Sequence, residues 1–173
     1  MNVILFGYRG SGKTSVGKKL AEQLWKDFVD VDALVRERFG GITIAEIWEQ
    51  WGEAGFRQAE VEATQAVVRF NDQVIALGGG TLMQPVAREA VEQAPDATRI
   101  YLRCDPEVLY QRIAGDETTP SERPALTDQG GGLQEVEQVL AEREPVYRSV
   151  ADVVFDATYC TIEQTVQHLI TKL

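Results

Sequence analysis

Val3-Ile4-Leu5-Phe6-Gly7-Tyr8-Arg9-Gly10-Ser11-Gly12-Lys13-Thr14 is the stretch that decides the fold. The apolar run Val3–Phe6 reads as a short buried strand, and residues 7–14 that follow match the phosphate-binding pattern G-x-x-x-x-G-K-[ST]. An amphipathic helix is predicted from Lys13 to about Leu24. Gly7, Gly10 and Gly12 admit backbone conformations and close approaches that a Cβ would block, so successive N–H groups can face phosphate oxygens. The helix start adds its positive end. Lys13 is expected to reach the β- and γ-phosphates, and the Thr14 hydroxyl to bind Mg²⁺. A nucleoside triphosphate is the expected ligand.

Outward from that loop, strand and helix signals alternate to the end of the chain. Phe28–Val31 reads as a second strand. Thr43-Ile44-Ala45-Glu46 has the form of a capping box opening a short helix, in which Trp48 and Trp51 are expected to be core. A longer helix is predicted from about Glu53 to Phe70, then a third strand over Val74–Leu77 ending in Gly78-Gly79-Gly80. Pro85 suits the first position of another helix. Arg99–Leu102 reads as strand four, Asp105-Pro106 as the start of the next helix, Val153–Phe155 as strand five, and Thr161 as the start of a last helix. Such alternation predicts an α/β fold, with a mostly parallel sheet covered on both faces and ligands outside the carboxyl ends of the strands. Residues 115–132 resist assignment; a polar, glycine-flanked loop of that length carrying Arg123 reads as a lid.

The bulk properties narrow the classes. A chain of 173 residues suits a single domain, residues 1–173, with a sizeable core. A net charge of −10 disfavours non-specific binding to nucleic acid or to anionic membranes, so neither is an expected partner. An anionic substrate must then be attracted locally by a few placed cations. Every basic residue between Lys26 and Lys172 is an arginine, the side chain suited to bidentate recognition of carboxylate and phosphate, though codon bias accounts for this equally well. Cys104 and Cys160 lack metal-type spacing and read as small apolar residues. No segment approaches membrane-spanning length, and a cytoplasmic enzyme is expected.

Strand three is followed by glycines where many phosphate-loop proteins carry a metal-side carboxylate. Asp30, at the end of strand two, is the natural substitute. Asp32, two residues on, faces the same way if the chain stays extended, and then accepts a proton from a hydroxyl nucleophile; alternatively Asp32 caps the helix beginning at Ala33. The triple glycine either offers backbone N–H groups and access to a second ligand or marks a loop that needs positive φ. Arg57 stands near the start of a long helix, where a cation opposes the helix dipole. Arg143 and Arg148 flank Pro145-Val146-Tyr147 and individually pass as solvated charge. His168 is the only histidine and lies on the last helix, which leaves general-base chemistry to a carboxylate.

The ordered set Asp30-x-Asp32, Gly55-Phe56-Arg57-x-x-Glu60, Gly78-Gly79-Gly80, Arg123-Pro124-x-Leu126 and Glu142-Arg143-x-Pro145-x-Tyr147 resembles the shikimate kinases over nearly the whole chain. The resemblance implies a P-loop kinase fold like that of nucleoside monophosphate kinases: a three-layer α/β/α arrangement, a five-stranded parallel sheet, a substrate-binding region at about 32–60 and a lid at about 115–132. It implies transfer of the ATP γ-phosphoryl group to the 3-hydroxyl of shikimate, in aromatic amino-acid biosynthesis, with Mg²⁺; a monomer is expected, although the sequence does not give the oligomeric state. Residue by residue, it implies that Gly10, Ser11, Gly12, Lys13, Thr14 and Ser15 hold the triphosphate. Thr14 ligates Mg²⁺, with Asp30 supporting it through water. Asp32 orients and deprotonates the hydroxyl. Arg57, Arg143 and the glycines Gly78, Gly79 and Gly80 hold shikimate, the arginines on its carboxylate. Arg123 contacts the nucleotide phosphates, and Arg112 lies near adenine. Two departures stand out: no arginine in Asp156-Ala157-Thr158-Tyr159-Cys160 to meet the base, and a lid a few residues longer than is common in the family.

Overall fold

Five short strands form one parallel sheet in a computed structural model that describes residues 1–115, 126 and 132–173. Along the chain, β1 (Asn2–Phe6) leads to α1 (Lys13–Leu24), β2 (Asp27–Asp30), α2 (Val31–Arg38) and α3 (Ile44–Val67). Then come β3 (Gln73–Ala76), a 3₁₀ turn (Thr81–Met83), α4 (Pro85–Glu92), β4 (Ala97–Arg103) and α5 (Pro106–Gly115). The last described elements are α6 (Leu133–Val150), β5 (Val153–Asp156) and α7 (Ile162–Ile170). Strand order is β2-β3-β1-β4-β5, with Ile4 registered against Ile75 on one side and Arg99 on the other.

Side-chain alternation along the strands divides the core into two layers. Ile4, Phe6, Ile75 and Tyr101 face the layer that also buries Val31, Ile47, Phe56, Val91 and Tyr147 from α2, α3, α4 and α6. Val3, Leu5, Val74, Ile100 and Leu102 face Val16 and Leu20 of α1 and Val166 and Leu169 of α7. Because both faces are covered, β1, in the middle of the sheet, is buried along its whole length. The chain leaves β1 and β3, adjacent in the sheet, toward opposite edges. Their carboxyl ends therefore border the crevice in which such sheets bind ligands.

The expected elements are all present, with shifted ends. β2 stops at Asp30 rather than Val31, because the Asp30 side chain accepts a hydrogen bond from the Ala33 amide at 3.2 Å and starts α2. Asp30 is thus the cap, and Asp32 sits in the first helical turn. The Thr43 capping box is formed, with Glu46 bonding back to the Thr43 amide at 2.7 Å. The two helices read from Thr43 and Glu53 adjoin at Gly52, whose φ of +74° breaks α3 in two. Trp48 is half-buried, but Trp51 is 49% exposed and lies against Phe39 on the surface, so its reading as core is corrected. Both cysteines are free thiols. No helix among the described residues is long and apolar enough to cross a membrane. Arg123 and most of the expected lid lie outside the described residues.

Candidate active site

The loop after β1 wraps its own lysine. Gly7, Gly10 and Gly12 hold φ of +147°, +83° and +94°, values that L side chains rarely adopt. At Gly7 a Cβ would also meet the Leu102 carbonyl oxygen of β4 at 2.5 Å, so the loop leaves the sheet where only glycine fits. Lys13 Nζ donates to the Gly7 and Tyr8 carbonyls, both at 2.9 Å, and is held over the loop by its first residues. A cleft of about 500 Å³ opens there, lined by Gly10, Ser11, Gly12, Lys13, Thr14, Ser15 and, from further along the chain, Arg112. Arg112 donates to the Gly10 carbonyl at 3.3 Å and the Ala157 carbonyl at 3.4 Å, bridging the loop to the segment after β5. Cys160, Thr161, Ile162 and Thr165 complete that wall, so backbone, hydroxyl and apolar surface stand where arginines were missed.

At the loop's other end the Thr14 hydroxyl donates to Asp30 Oδ2 at 2.8 Å. A hydroxyl from the first turn of α1 and a carboxylate from the end of β2 meet there, and both Asp30 and Asp32 line the same cleft. These are hard oxygen donors of the kind Mg²⁺ takes one or two at a time, completing its shell with water and substrate phosphate.

The glycine loop after β3 supplies the second half of the site, for a reason other than backbone strain. None of Gly78, Gly79 and Gly80 has a positive φ, which corrects the reading of a turn that needs it. What these glycines provide is room. A Cβ on Gly78 would stand 2.5 Å from Glu60 Oε1, 2.6 Å from Asp32 Oδ1 and 3.0 Å from Thr81 Oγ1. A Cβ on Gly80 would stand 2.6 Å and 2.7 Å from the two terminal nitrogens of Arg57. Removing the side chains lets two carboxylates and a guanidinium close on the loop.

Arg57 is held from several sides. It donates from Nη1 to Glu60 Oε2 at 2.8 Å and from Nε to Glu53 at 3.4 Å, and its guanidinium carbon lies 5.3 Å from the Phe56 ring centre and 5.9 Å from that of Trp48. Glu60 is fully buried and accepts the Thr81 hydroxyl at 2.6 Å on its other oxygen. Burial raises the Glu60 pKa, with a smaller upward push from Asp32; Arg57 and Thr81 pull the other way and do not cancel it. The buried carboxylate therefore fixes the arginine and borders the site beside Asp32.

Arg143 arrives from α6. Its guanidinium carbon stands 5.9 Å from the Tyr8 ring centre, and one terminal nitrogen comes within 3.5 Å of a Cβ placed on Gly79. Arg9, Asp32, Trp48, Arg57, Glu60, Gly79, Gly80, Leu126 and Arg143 line one pocket between the phosphate loop and α3. The structure thus brings Asp32, Arg57, Arg143 and the glycine loop together, next to the cleft held by Lys13, Thr14 and Asp30. Arg148 is not part of it: one turn beyond, it is half exposed and paired with Glu144. His168 lies on α7 against Phe155. Glu60 appeared in the quoted motif without a role, and Thr81, Trp48 and Arg9 were not singled out as site residues. Only the i,i+3 spacing of Arg57 and Glu60 carried a signal for any of them.

A family model described as shikimate kinase matches residues 9–173. The shikimate kinase of Rhodopirellula baltica is 40% identical over 163 residues, covering 94% of this chain and 85% of that protein. The shikimate kinase of Stenotrophomonas maltophilia (strain K279a) is 36% identical over 172 residues, covering 99% of this chain and 91% of the relative. Among solved structures, shikimate kinase from Acinetobacter baumannii in complex with shikimate superposes with a TM-score of 0.89 at 32% identity, covering 99% of this chain and 91% of that one.

Proposed function

Because this chain belongs to the shikimate kinase family, we propose that it transfers the γ-phosphoryl group of ATP to the 3-hydroxyl of shikimate. The observation that carries the reading is the pairing of two guanidiniums, Arg57 and Arg143, with one carboxylate, Asp32, in a pocket adjoining the phosphate loop. Such a pocket is complementary to a small molecule bearing both a carboxylate and a hydroxyl. Two arginines supply forked donors for the acid. Asp32 supplies an acceptor for the hydroxyl proton.

Positioning and charge stabilisation do most of the work in phosphoryl transfer. Lys13 leaves its loop carbonyls for the β- and γ-phosphates as the nucleotide enters, and stays to offset charge on the transferring group. The backbone of Gly10, Ser11 and Gly12 and the start of α1 at Lys13–Ser15 hold the phosphates. Asp32 orients the acceptor hydroxyl in line and takes its proton as the new P–O bond forms and the bond from the γ-phosphorus to the bridging oxygen breaks, releasing ADP. Thr14 and Asp30 would hold Mg²⁺, which when bound neutralises charge on the β- and γ-phosphoryl oxygens. Arg123 is assigned to the nucleotide phosphates and Arg112 to the base side of the cleft.

The reading is tested by incubating the protein with Mg·ATP and, separately, shikimate, gluconate, a nucleoside monophosphate or water, following ADP and phosphorylated product. Shikimate-dependent ADP formation with a phosphorylated acid is the expected result; equal ADP release with water alone overturns it. The carboxylate assignment has its own check. Arg143→Lys is expected to raise KM for shikimate about tenfold and leave KM for ATP within about twofold, since an ammonium cannot reproduce the guanidinium fork. Equal weakening of both ligands in steady-state kinetics removes Arg143 from the acid clamp.

A further inference from the structure

The clamp is assembled from two elements far apart in sequence, and one buried hydroxyl joins them. Tyr147 lies one turn after Arg143 on α6, so both project from the same face of that helix. Its hydroxyl donates a hydrogen bond to the Gly79 carbonyl oxygen in the loop after β3. Gly79 itself stands between the two halves of the site: a Cβ there would lie 3.4 Å from the Arg9 backbone nitrogen, 3.6 Å from the Gly7 carbonyl oxygen and 3.5 Å from Arg143 Nη1. Burial pushes the Tyr147 phenol up to about 12, against the pull of Arg143, so it is a neutral hydroxyl at working pH.

The helix alone is poorly suited to hold this geometry. Pro145 sits between Arg143 and Tyr147 and has no N–H for the Ala141 carbonyl, which removes a helical hydrogen bond beside Arg143. The ring of Tyr147 is fixed independently, 5.1 Å from Tyr101 and 6.1 Å from Phe6 between ring centres. A rigid ring with its hydroxyl on the glycine loop can therefore restore the alignment that the proline loosens.

We propose that Tyr147 is a positioning residue of the acid pocket, its hydroxyl setting Arg143 against the Gly79 loop so that shikimate meets a preformed clamp. This rests on the functional reading above and deepens it. Tyr147 touches no reacting atom. It acts through Arg143 and the Gly79 carbonyl, so its loss reduces acid binding and spares both nucleotide binding and the chemical step.

The test is Tyr147→Phe, which keeps the ring and its packing and deletes one oxygen. Calorimetric titration of shikimate into the nucleotide-free protein is expected to show Kd raised about tenfold, the upper end of the scale of one neutral hydrogen bond. Kd for ATP and kcat at saturating acid are expected to stay within about twofold, the signature of lost uniform binding. In an Arg143→Lys background the same exchange is expected to matter about threefold or less, because residues acting as one unit are not additive. Parental shikimate affinity in Tyr147→Phe overturns the proposal. So does equal weakening of acid and nucleotide, which would mark a merely structural tyrosine, and so does full additivity with Arg143→Lys. A parent protein that binds no shikimate would instead overturn the functional reading, and the positioning role with it.

Discussion

The Asp32→Asn protein is expected to bind ATP as the parent does and to lose about 10²- to 10⁴-fold in kcat, the usual contribution of a positioned general base. The amide preserves shape and keeps an acceptor oxygen, so the first turn of α2 and the neighbouring Gly78 loop are undisturbed. What it removes is the negative charge and the site for the hydroxyl proton. Asp30, not Asp32, bonds Thr14 and caps α2, so the exchange leaves the Thr14–Asp30 contact and the helix cap in place. Turnover and nucleotide affinity measured on one preparation check this. Unchanged kcat would take Asp32 out of the chemistry.

Gly80→Ala is expected to raise KM for shikimate about 10- to 100-fold, the scale of one lost hydrogen-bonded contact to a charged group. An added Cβ would stand 2.6–2.9 Å from three atoms of the Arg57 guanidinium, which can yield only by leaving Glu60. Displacing one partner of a buried ion pair costs about 3–5 kcal/mol unless the remaining charge is neutralised. Here neutralisation is available, because the Glu60 pKa is already raised by burial above the ordinary 4.5 and rises further once Arg57 moves. A carboxyl whose folded pKa exceeds its unfolded one destabilises the native state increasingly as pH rises between the two values. The stability deficit of Gly80→Ala should therefore be smaller at about pH 5 than at neutral pH. Denaturant melts at the two pH values check it; a deficit independent of pH, or a parental KM for shikimate, contradicts the account of Gly80.

The first β-strand, the phosphate loop and the alternation of elements were legible because apolar runs and glycine spacing are local signals. The Asp30–Asp32 pair stood out in the sequence as two carboxylates at a strand end, but its geometry did not. Which of them capped the helix depended on where β2 ended, and that is set by its pairing with β3 through Asp30 and Ala76. The triple glycine reads as a ligand loop in the sequence, whereas the physical reason for the glycines does not show there. The atoms that crowd Gly78 and Gly80 belong to Asp32, Glu60, Thr81 and Arg57, and only the folded chain brings them within 3 Å or so of a would-be Cβ. The burial of Glu60 was hidden for the same reason: its spacing from Arg57 suggested a pair, but a glutamate on a helix usually faces water and nothing local marks this one as buried. Arg143 and Arg148 looked alike in sequence, being two cations on one helix. Their separation into a pocket residue and a surface ion pair follows from which side of α6 packs on Tyr8 and the Gly79 loop.

The central claim is one geometry, in which the nucleotide at the mouth of β1 faces an acid held by two guanidiniums with Asp32 at its hydroxyl. A crystal structure of the protein with shikimate and a non-hydrolysable ATP analogue tests it most directly. The account predicts the shikimate carboxylate within hydrogen-bonding distance of both Arg57 and Arg143, its 3-hydroxyl on Asp32, and that hydroxyl pointing at the terminal phosphoryl group above Lys13. An acid bound elsewhere, or either arginine turned away from its carboxylate with Asp32 out of reach of the hydroxyl, would contradict it.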